Sequence, residues 1–329
     1  MDNPALKVSA AVEAAYTSAL EGCLVVEHEP PGVLVARGSS TLDLLHRMST
    51  NDMNGLKQDE IRATVLTTAI GRIVDVIHVL RREDDFLLLT SQGRSGTVRE
   101  WLARHIFFND DLVLSEAIPA YRLWGLYGPT AAAEADGLSS RASASALPTY
   151  SSLDDGYLWA SAGGLSGFRL LAGAELQRRA EDRWGKRGPG TPYAEAFEAH
   201  RIEQGQPAPG HEIRDDVIPL EAGLWHLVSF DKGCYIGQEV IARMESRSRI
   251  ARQLAGLQLE QNVSEPQEIE RDGAPLGRLT STAFSPRLGT IGLGLVRSAA
   301  LETAPAPVRL SPSGVAATLL RLPFEPLAA

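Results

Sequence analysis

The stretch richest in chemical possibility is Lys232-Gly233-Cys234-Tyr235-Ile236-Gly237-Gln238-Glu239. It sets one of only two cysteines two residues from a lysine and between two glycines. A nearby ammonium stabilises a thiolate and so lowers a thiol's pKa. Gly233 and Gly237 permit positive φ and a close approach of backbone N–H groups to a ligand. A helix starting near Gly237 would add free amides and a positive dipole end. Cys234 is therefore the candidate nucleophile and Lys232 the group that tunes it. The same spacing suits a glycine turn that buries a small apolar cysteine, since free cysteines are among the most buried residues.

Carboxylates supply the second set of candidates. His200-Arg201-Ile202-Glu203-Gln204-Gly205 closes a helix expected to begin near Ala194, with Gly205 at its C-terminal cap. Glu203 can accept two hydrogen bonds from the amidine-like edge of a flat heterocycle, or pair with Arg201 on the surface. Phe197, six residues earlier, can stack on such a ring or serve as core. Asp75 lies inside an apolar strand and so needs a partner or a solvent-facing side. Glu221 stands at a proline-led turn, Pro219-Leu220-Glu221-Ala222-Gly223. The seven histidines show no HxxxH spacing, and no metal site is expected from them. There is no GxSxG, and a hydrolase pair of Cys234 with His226 or His211 has no local signature behind it.

The elements that must position these residues alternate in type. Residues 32–37 read as a buried strand, and Ser39 and Ser40 offer N-caps for a helix with Leu42, Leu45 and Met48, ended by Thr50-Asn51-Asp52. Strands follow at 61–67 and 73–80 around a turn at 69–72, then at 86–90, with an amphipathic helix at 95–107. A second unit from 121 to 184 carries strands at 123–127, 157–160 and 168–172. Its helices fall within the Ala/Ser-rich 131–146 and at 174–184. This order suggests α+β, ferredoxin-like layers rather than a doubly wound sheet. Neither GxGxxG nor GxxxxGK[ST] occurs. From residue 253 short apolar segments alternate with Gly and Pro, the rhythm of a small β-barrel. The expected division is 1–249, in two lobes of about 1–118 and 119–249 whose interleaving is left open, and a barrel over 250–329.

Composition narrows the function classes. At 329 residues the chain exceeds one ordinary core, and 44% hydrophobic with 22% charged residues fits a globular protein. No apolar run approaches the ~18 residues of a membrane span. Met1-Asp2-Asn3-Pro4 lacks the basic and apolar regions of a signal peptide. Cys23 and Cys234 form no CxxC, so a reducing cytoplasm is the expected setting. A net charge of −9 argues against broad nucleic-acid binding, and no direct DNA partner is expected. Residues 241–252 nonetheless hold Arg243, Arg247, Arg249 and Arg252 against Glu245. They could bind a phosphate- or carboxylate-bearing partner, or form a solvated face.

Taken together these residues resemble the YgfZ family of folate-binding proteins, relatives of the glycine cleavage T-protein (aminomethyltransferase). Lys232–Glu239 looks like the family signature K-G-C-Y-[IT]-G-Q-E, and Arg201–Gly205 and Pro219–Leu224 look like its R-x-E-x-G and P-x-E-x-x-L landmarks. Thr50-Asn51-Asp52 and Gly71-Arg72-Ile73-Val74-Asp75 fit the TND and G-R-I-x-D pattern. The resemblance implies a three-lobed, ring-like α+β body with tetrahydrofolate in a central channel and a C-terminal β-barrel. It implies support of iron–sulfur cluster protein assembly or repair, with partners such as radical tRNA-modifying enzymes, and a functional Cys234. Phe197, Glu203, Arg201, Asp75 and Tyr235 become the candidate folate-binding residues. The acid-bearing G-Y-T-G-E-D-G-F segment of T-proteins is replaced here by Gly163-Gly164-Leu165-Ser166-Gly167-Phe168, without the acid. That tilts the reading toward an accessory factor. The alternative is a tetrahydrofolate-dependent aminomethyltransferase or methyltransferase using Asp75.

Overall fold

The computed structural model describes residues 9–117, 120–138, 148–161, 166–246 and 250–324. Residues 139–146 of the Ala/Ser-rich stretch, residues 163–165, and Arg247 and Arg249 therefore lie outside the described residues. The chain runs α1 (Ala10–Glu21), β1 (Leu24–His28), β2 (Gly32–Arg37), α2 (Thr41–Met48), β3 (Ile61–Thr67), β4 (Ile73–Arg81), β5 (Phe86–Thr90) and α3 (Ser95–Ala103). Next come β6 (Val113–Glu116), β7 (Arg122–Tyr127), α4 (Ala131–Asp136), β8 (Tyr150–Leu153), β9 (Gly156–Ala160), β10 (Gly167–Ala172), α5 (Ala174–Trp184) and α6 (Pro192–Glu203). After α7 (Gln238–Ser246) follow β11 (Arg252–Leu259), β12 (Gln267–Arg271), β13 (Ala274–Ser285), β14 (Gly289–Arg297), α8 (Ser298–Leu301), β15 (Ala306–Ser311) and β16 (Ala316–Leu320).

The first two sheets repeat one plan. Their strand orders are β3-β4-β5-β2-β6 and β8-β9-β10-β7-β1, antiparallel throughout. In each, a strand, a helix and a three-strand meander fold so that the first strand lies beside the last. Each unit takes its edge strand from the other: β1 leads into β2 yet pairs with β7, and β6 leads into β7 yet pairs with β2. The lobes are thus interleaved by strand exchange. The repeat extends to single residues. Gly38 and Gly128, each at φ +118°, turn β2 into α2 and β7 into α4. A Cβ at Gly38 would lie 2.1 Å from the Asp111 carbonyl oxygen, and one at Gly128 2.5 Å from that of Gly22, so neither turn admits a side chain. The same two carbonyls accept from the amides of Ser40 (3.1 Å) and Thr130 (3.0 Å).

Packing follows the period-two alternation of the strands. One face of the first sheet buries Ile77 and Val79 under Leu44, Leu45, Val98 and Leu102 of α2 and α3. The matching face of the second buries Trp124, Leu158 and Leu170 under α4 and α5. The remaining faces meet, with Val33, Val35, Leu87 and Leu89 against Trp159 and Leu171. Strands β11–β16 close a barrel in the order β11-β14-β13-β12-β15-β16 around Leu257, Ile269, Leu279, Leu310 and Leu319. Ile202 of α6 packs on Ile291 and Leu293 of β14, joining barrel to lobes.

Against the sequence reading, the strands at 32–37, 61–67 and 86–90 stand as expected, while α3 stops at Ala103 rather than 107. Ser40 occupies the N-cap of α2 without a capping bond from its side chain, because its Oγ accepts from the Asp111 amide of the exchanged segment. Helix α1 was not foreseen. Its inward face, Ala15, Tyr16 and Ala19, takes shape only against α6 and β1.

Candidate functional site

The cysteine motif is a cap on another element. Helix α2 ends at Met48, and its last carbonyls have no partner within the helix. Lys232 Nζ donates to three carbonyls there, those of His46 (2.6 Å), Ser49 (2.8 Å) and Asn51 (2.7 Å). The Ile236 amide donates to a fourth, that of Arg47, at 2.9 Å. A cation at a helix C-terminus also meets the negative end of the helix dipole. Thr67 Oγ1 donates to the Ile236 carbonyl at 2.8 Å. Gly237, at φ +82°, lets the chain pass the β3–β4 turn, where a Cβ would lie 2.5 Å from the Thr68 carbonyl oxygen. Helix α7 starts immediately afterwards, as the sequence suggested. Tyr235 is buried among Ile218, Leu220, Val228 and Ile241, with Lys232 Nζ 4.9 Å from its ring centre.

Between these anchors Cys234 is exposed, with no hydrogen-bond partner among the described residues. The buried-cysteine alternative therefore describes Cys23 better, whose thiol burial pushes up to about 11. The expectation that Lys232 serves the thiol needs correcting: all three of its N–H bonds go to carbonyls. Burial pushes this ammonium down to about 8, with Asp52 opposing the shift. His46 was not foreseen in this neighbourhood. A Cβ on Gly233 would stand 3.6 Å from its Nε2, and its Nδ1 is 3.1 Å from Asp52 Oδ1.

The two α6 residues proposed as ligand contacts are committed within the protein. Glu203 is 3% exposed and accepts from Tyr16 Oη (2.9 and 3.0 Å), Ser285 Oγ and Arg287 Nη2 (3.0 Å). Its partner is Arg287, not Arg201. Arg201 is equally buried and donates to Glu198, Glu212, Ser281 and the Gln206 carbonyl. Both residues lock α6 to α1 and the barrel, which corrects their expected place on folate. Among the expected basic cluster, Arg243 pairs with Glu239, and Arg252 with Glu221.

Asp75 is buried, not solvent-facing. It accepts from the Ser91 amide (3.0 Å), Ser91 Oγ (2.6 Å) and the Val76 amide (3.0 Å), while burial pushes its pKa up. Alternation along β4 sets it with Ile77 and Val79 on the helix-covered face, away from His78.

Phe197 belongs to a different cluster. Its ring stacks on Tyr127 at 5.1 Å and meets His28 edge-on at 4.7 Å, and His28 Nε2 lies 2.8 Å from Tyr127 Oη. His78 faces Trp159 of the opposite sheet, ring centres 6.5 Å apart. Burial pushes His78 down to about 4 and His28 well below its usual range, and Arg169 lowers both further by its charge. The same guanidinium acts on Tyr127. One cation thus acts through its charge on three rings from two sheets. His28, His78, Arg169 and Phe197 are each half-buried rather than fully enclosed. Two neutral imidazoles, aromatic faces and a guanidinium suit a flat heterocycle with an acidic tail. Of the expected site residues only Phe197 is here.

Comparison with known proteins agrees with this architecture. Residues 5–157 match the GCVT N-terminal domain, and residues 252–325 the glycine cleavage T-protein C-terminal barrel domain. A chloroplastic protein of Arabidopsis thaliana with a provisional transferase name is 29% identical over 294 residues, 85% of this chain and 66% of the relative. An aminomethyltransferase of Chlorobium phaeovibrioides is 27% identical over 312 residues, covering 89% of this chain and 84% of the relative. The crystal structure of the glycine cleavage system aminomethyltransferase T from Bartonella henselae superposes with a TM-score of 0.78 over 95% of this chain and 89% of that one. At 19% identity that likeness speaks for the fold alone. On the two domain matches, the chain belongs to the glycine cleavage T-protein superfamily.

Proposed function

We propose that the protein is a folate-binding accessory factor that supports the assembly or repair of iron–sulfur proteins, including radical tRNA-modifying enzymes, in a reducing cytoplasm. The observation that carries the accessory role is the placement of Cys234, an exposed thiol on a loop bolted to α2 by Lys232 and Ile236. A buried packing cysteine would need no such platform. Tetrahydrofolate fits the chemistry of this cluster: Phe197 and His28, both half-buried and backed by the buried Tyr127, offer ring surfaces to a pterin, and Arg169 a charge for the glutamyl carboxylates. When bound it would supply one-carbon chemistry, while these residues orient it and keep the ring out of water.

The test has two arms. Calorimetry should show tetrahydrofolate binding that Phe197→Ala and Arg169→Ala each weaken about tenfold, as expected for losing one stacking or charged contact. Cys234→Ser should bind folate like the parent yet fail to restore iron–sulfur enzyme activity in cells lacking the protein. Full restoration by Cys234→Ser would end the accessory reading. The aminomethyltransferase reading draws on the names of the relatives and on Asp75, whose carboxyl burial favours in its neutral form. Glycine cleavage turnover with lipoyl carrier protein and tetrahydrofolate, abolished by Asp75→Asn, would establish it instead.

A further inference from the structure

A cavity of about 300 Å³ opens between the loop after α6 and strand β13, and it shares no residue with the thiol loop or the aromatic cluster around Phe197. Its wall carries His211, Arg214 and Arg278 against one carboxylate, Glu265, on a chain whose net charge is −9. His211 Nδ1 meets the Thr280 carbonyl at 3.0 Å and Glu265 at 3.7 Å, which leaves Nε2 without a hydrogen-bond partner among the described residues. Glu265 raises the pKa of this imidazole to about 9 against the effect of burial, with the Thr280 carbonyl adding, so it is charged at neutral pH.

Among the described residues Arg214 engages Asp216 through Nε alone, at 3.0 Å, and its two terminal amino groups have no partner. Arg278 stands across from Glu268 in the β12–β13 ladder but makes no ion pair among the described residues. A second groove adjoins, sharing Arg214, Arg278 and Thr280, and adds Arg252 and Asp216. Arg252 is already held by Glu221 at 2.9 Å. Like charges gathered on one wall repel unless something neutralises them; Glu265, Asp216 and Glu221 each answer one of the four, and Arg278 has no ion pair among the described residues.

We propose that this cavity binds a small anion of two or more charges through phosphate or carboxylate oxygens, with Arg278, Arg214 and His211 as its donors. Guanidinium groups match both oxyanions in bidentate fashion, and the imidazolium supplies a third donor. The volume suits a compact metabolite rather than a polymer.

Inorganic pyrophosphate and citrate serve as probes, titrated calorimetrically into the full chain. At least one should bind. Arg278→Gln and Arg214→Gln should each lower its affinity about tenfold, and raising KCl from about 50 to about 300 mM should weaken it several-fold. Binding of pyrophosphate alone would assign a phosphate-bearing ligand, and binding of citrate alone a polycarboxylate. Arg278 is exposed on its strand, so its variant keeps the fold, and circular dichroism checks this. Heats no larger than those of KCl at equal ionic strength, or an unchanged affinity in both arginine variants, would overturn the proposal.

Discussion

Replacing Lys232 with Met keeps the length of the side chain and removes its three donors. The carbonyls of His46, Ser49 and Asn51 then lose their partner at 2.6–2.8 Å. A buried carbonyl left unpaired costs about 1–3 kcal/mol. Two effects reduce that sum. Lys232 is half-buried, so water can reach part of the cradle, and the variant no longer desolvates an ammonium. A net loss of about 2–4 kcal/mol follows. With an unfolding entropy of about 2.1 cal/mol/K per residue, that lowers the Tm by roughly 3–6 °C. The loss should be local as well as global: amide exchange should accelerate at residues 46–52 and 232–237 and hardly change in the barrel. Lys232→Arg should rescue little, because a planar fork cannot serve three carbonyls converging on one point. Unchanged melting together with unchanged exchange in Lys232→Met would refute the capping argument, and return the residue to the role of a charge acting on Cys234.

Glu203→Gln should lower stability by about 2–3 kcal/mol in a denaturant titration, the lower end for a broken buried pair because the Arg287 side chain is 41% exposed and can rehydrate. Folate affinity measured under folding conditions should stay unchanged, since the carboxylate is occupied within the protein. Gly38→Ala and Gly128→Ala should each cost about 2–4 kcal/mol, from a positive φ and a backbone collision at equivalent turns. A soluble, normally melting Gly38→Ala protein would contradict the clasp geometry. His211 has a folded pKa of about 9 against 6.5 for the free side chain. Its contribution is therefore complete below about pH 6.5 and fades as pH rises through 9. The stability difference between parent and His211→Gln, followed through Tm, should track that course, at about 1 kcal/mol or less after solvent screening of a half-exposed group.

The sequence was legible where local rules act alone. Strands at 61–67 and 86–90 read as short runs rich in apolar and β-branched residues, and the helix after Gly237 announces itself through a glycine that only a tight turn requires. It was illegible where a residue's role depends on a distant partner. Nothing near Lys232 in the chain says that α2, some 180 residues earlier, ends with unpaired carbonyls. Nothing near Glu203 points to Tyr16 or Ser285. His28, His78 and Arg169 looked ordinary because each lies on a different strand, and only the meeting of two sheets puts them around one space. The arginine tract left two readings open for a related reason: Arg243 and Arg252 find acids within the fold, while Arg247 and Arg249 lie outside the described residues, and the scattered Arg214 and Arg278 converge.

The β3–β4 hairpin connects the thiol loop with the cluster proposed to hold folate. Its turn end holds the motif loop through Thr67, Thr68 and Gly71, while His78 of β4 meets Trp159 of the opposite sheet. At ~3.3 Å per residue, the seven residues from Gly71 to His78 span roughly 20 Å. A thiol fixed at one end of that span is too far to attack a ring held near the other. Folate chemistry and thiol chemistry would then meet only through a third molecule. On the proposed reading, such a partner would present its own reacting group to Cys234 at the surface, while folate bound near Phe197 would act on it elsewhere or serve as a structural element. A transferase, by contrast, needs its acid, its folate and its carrier at one point, and Asp75 on the far face of β4 from His78 does not supply that convergence.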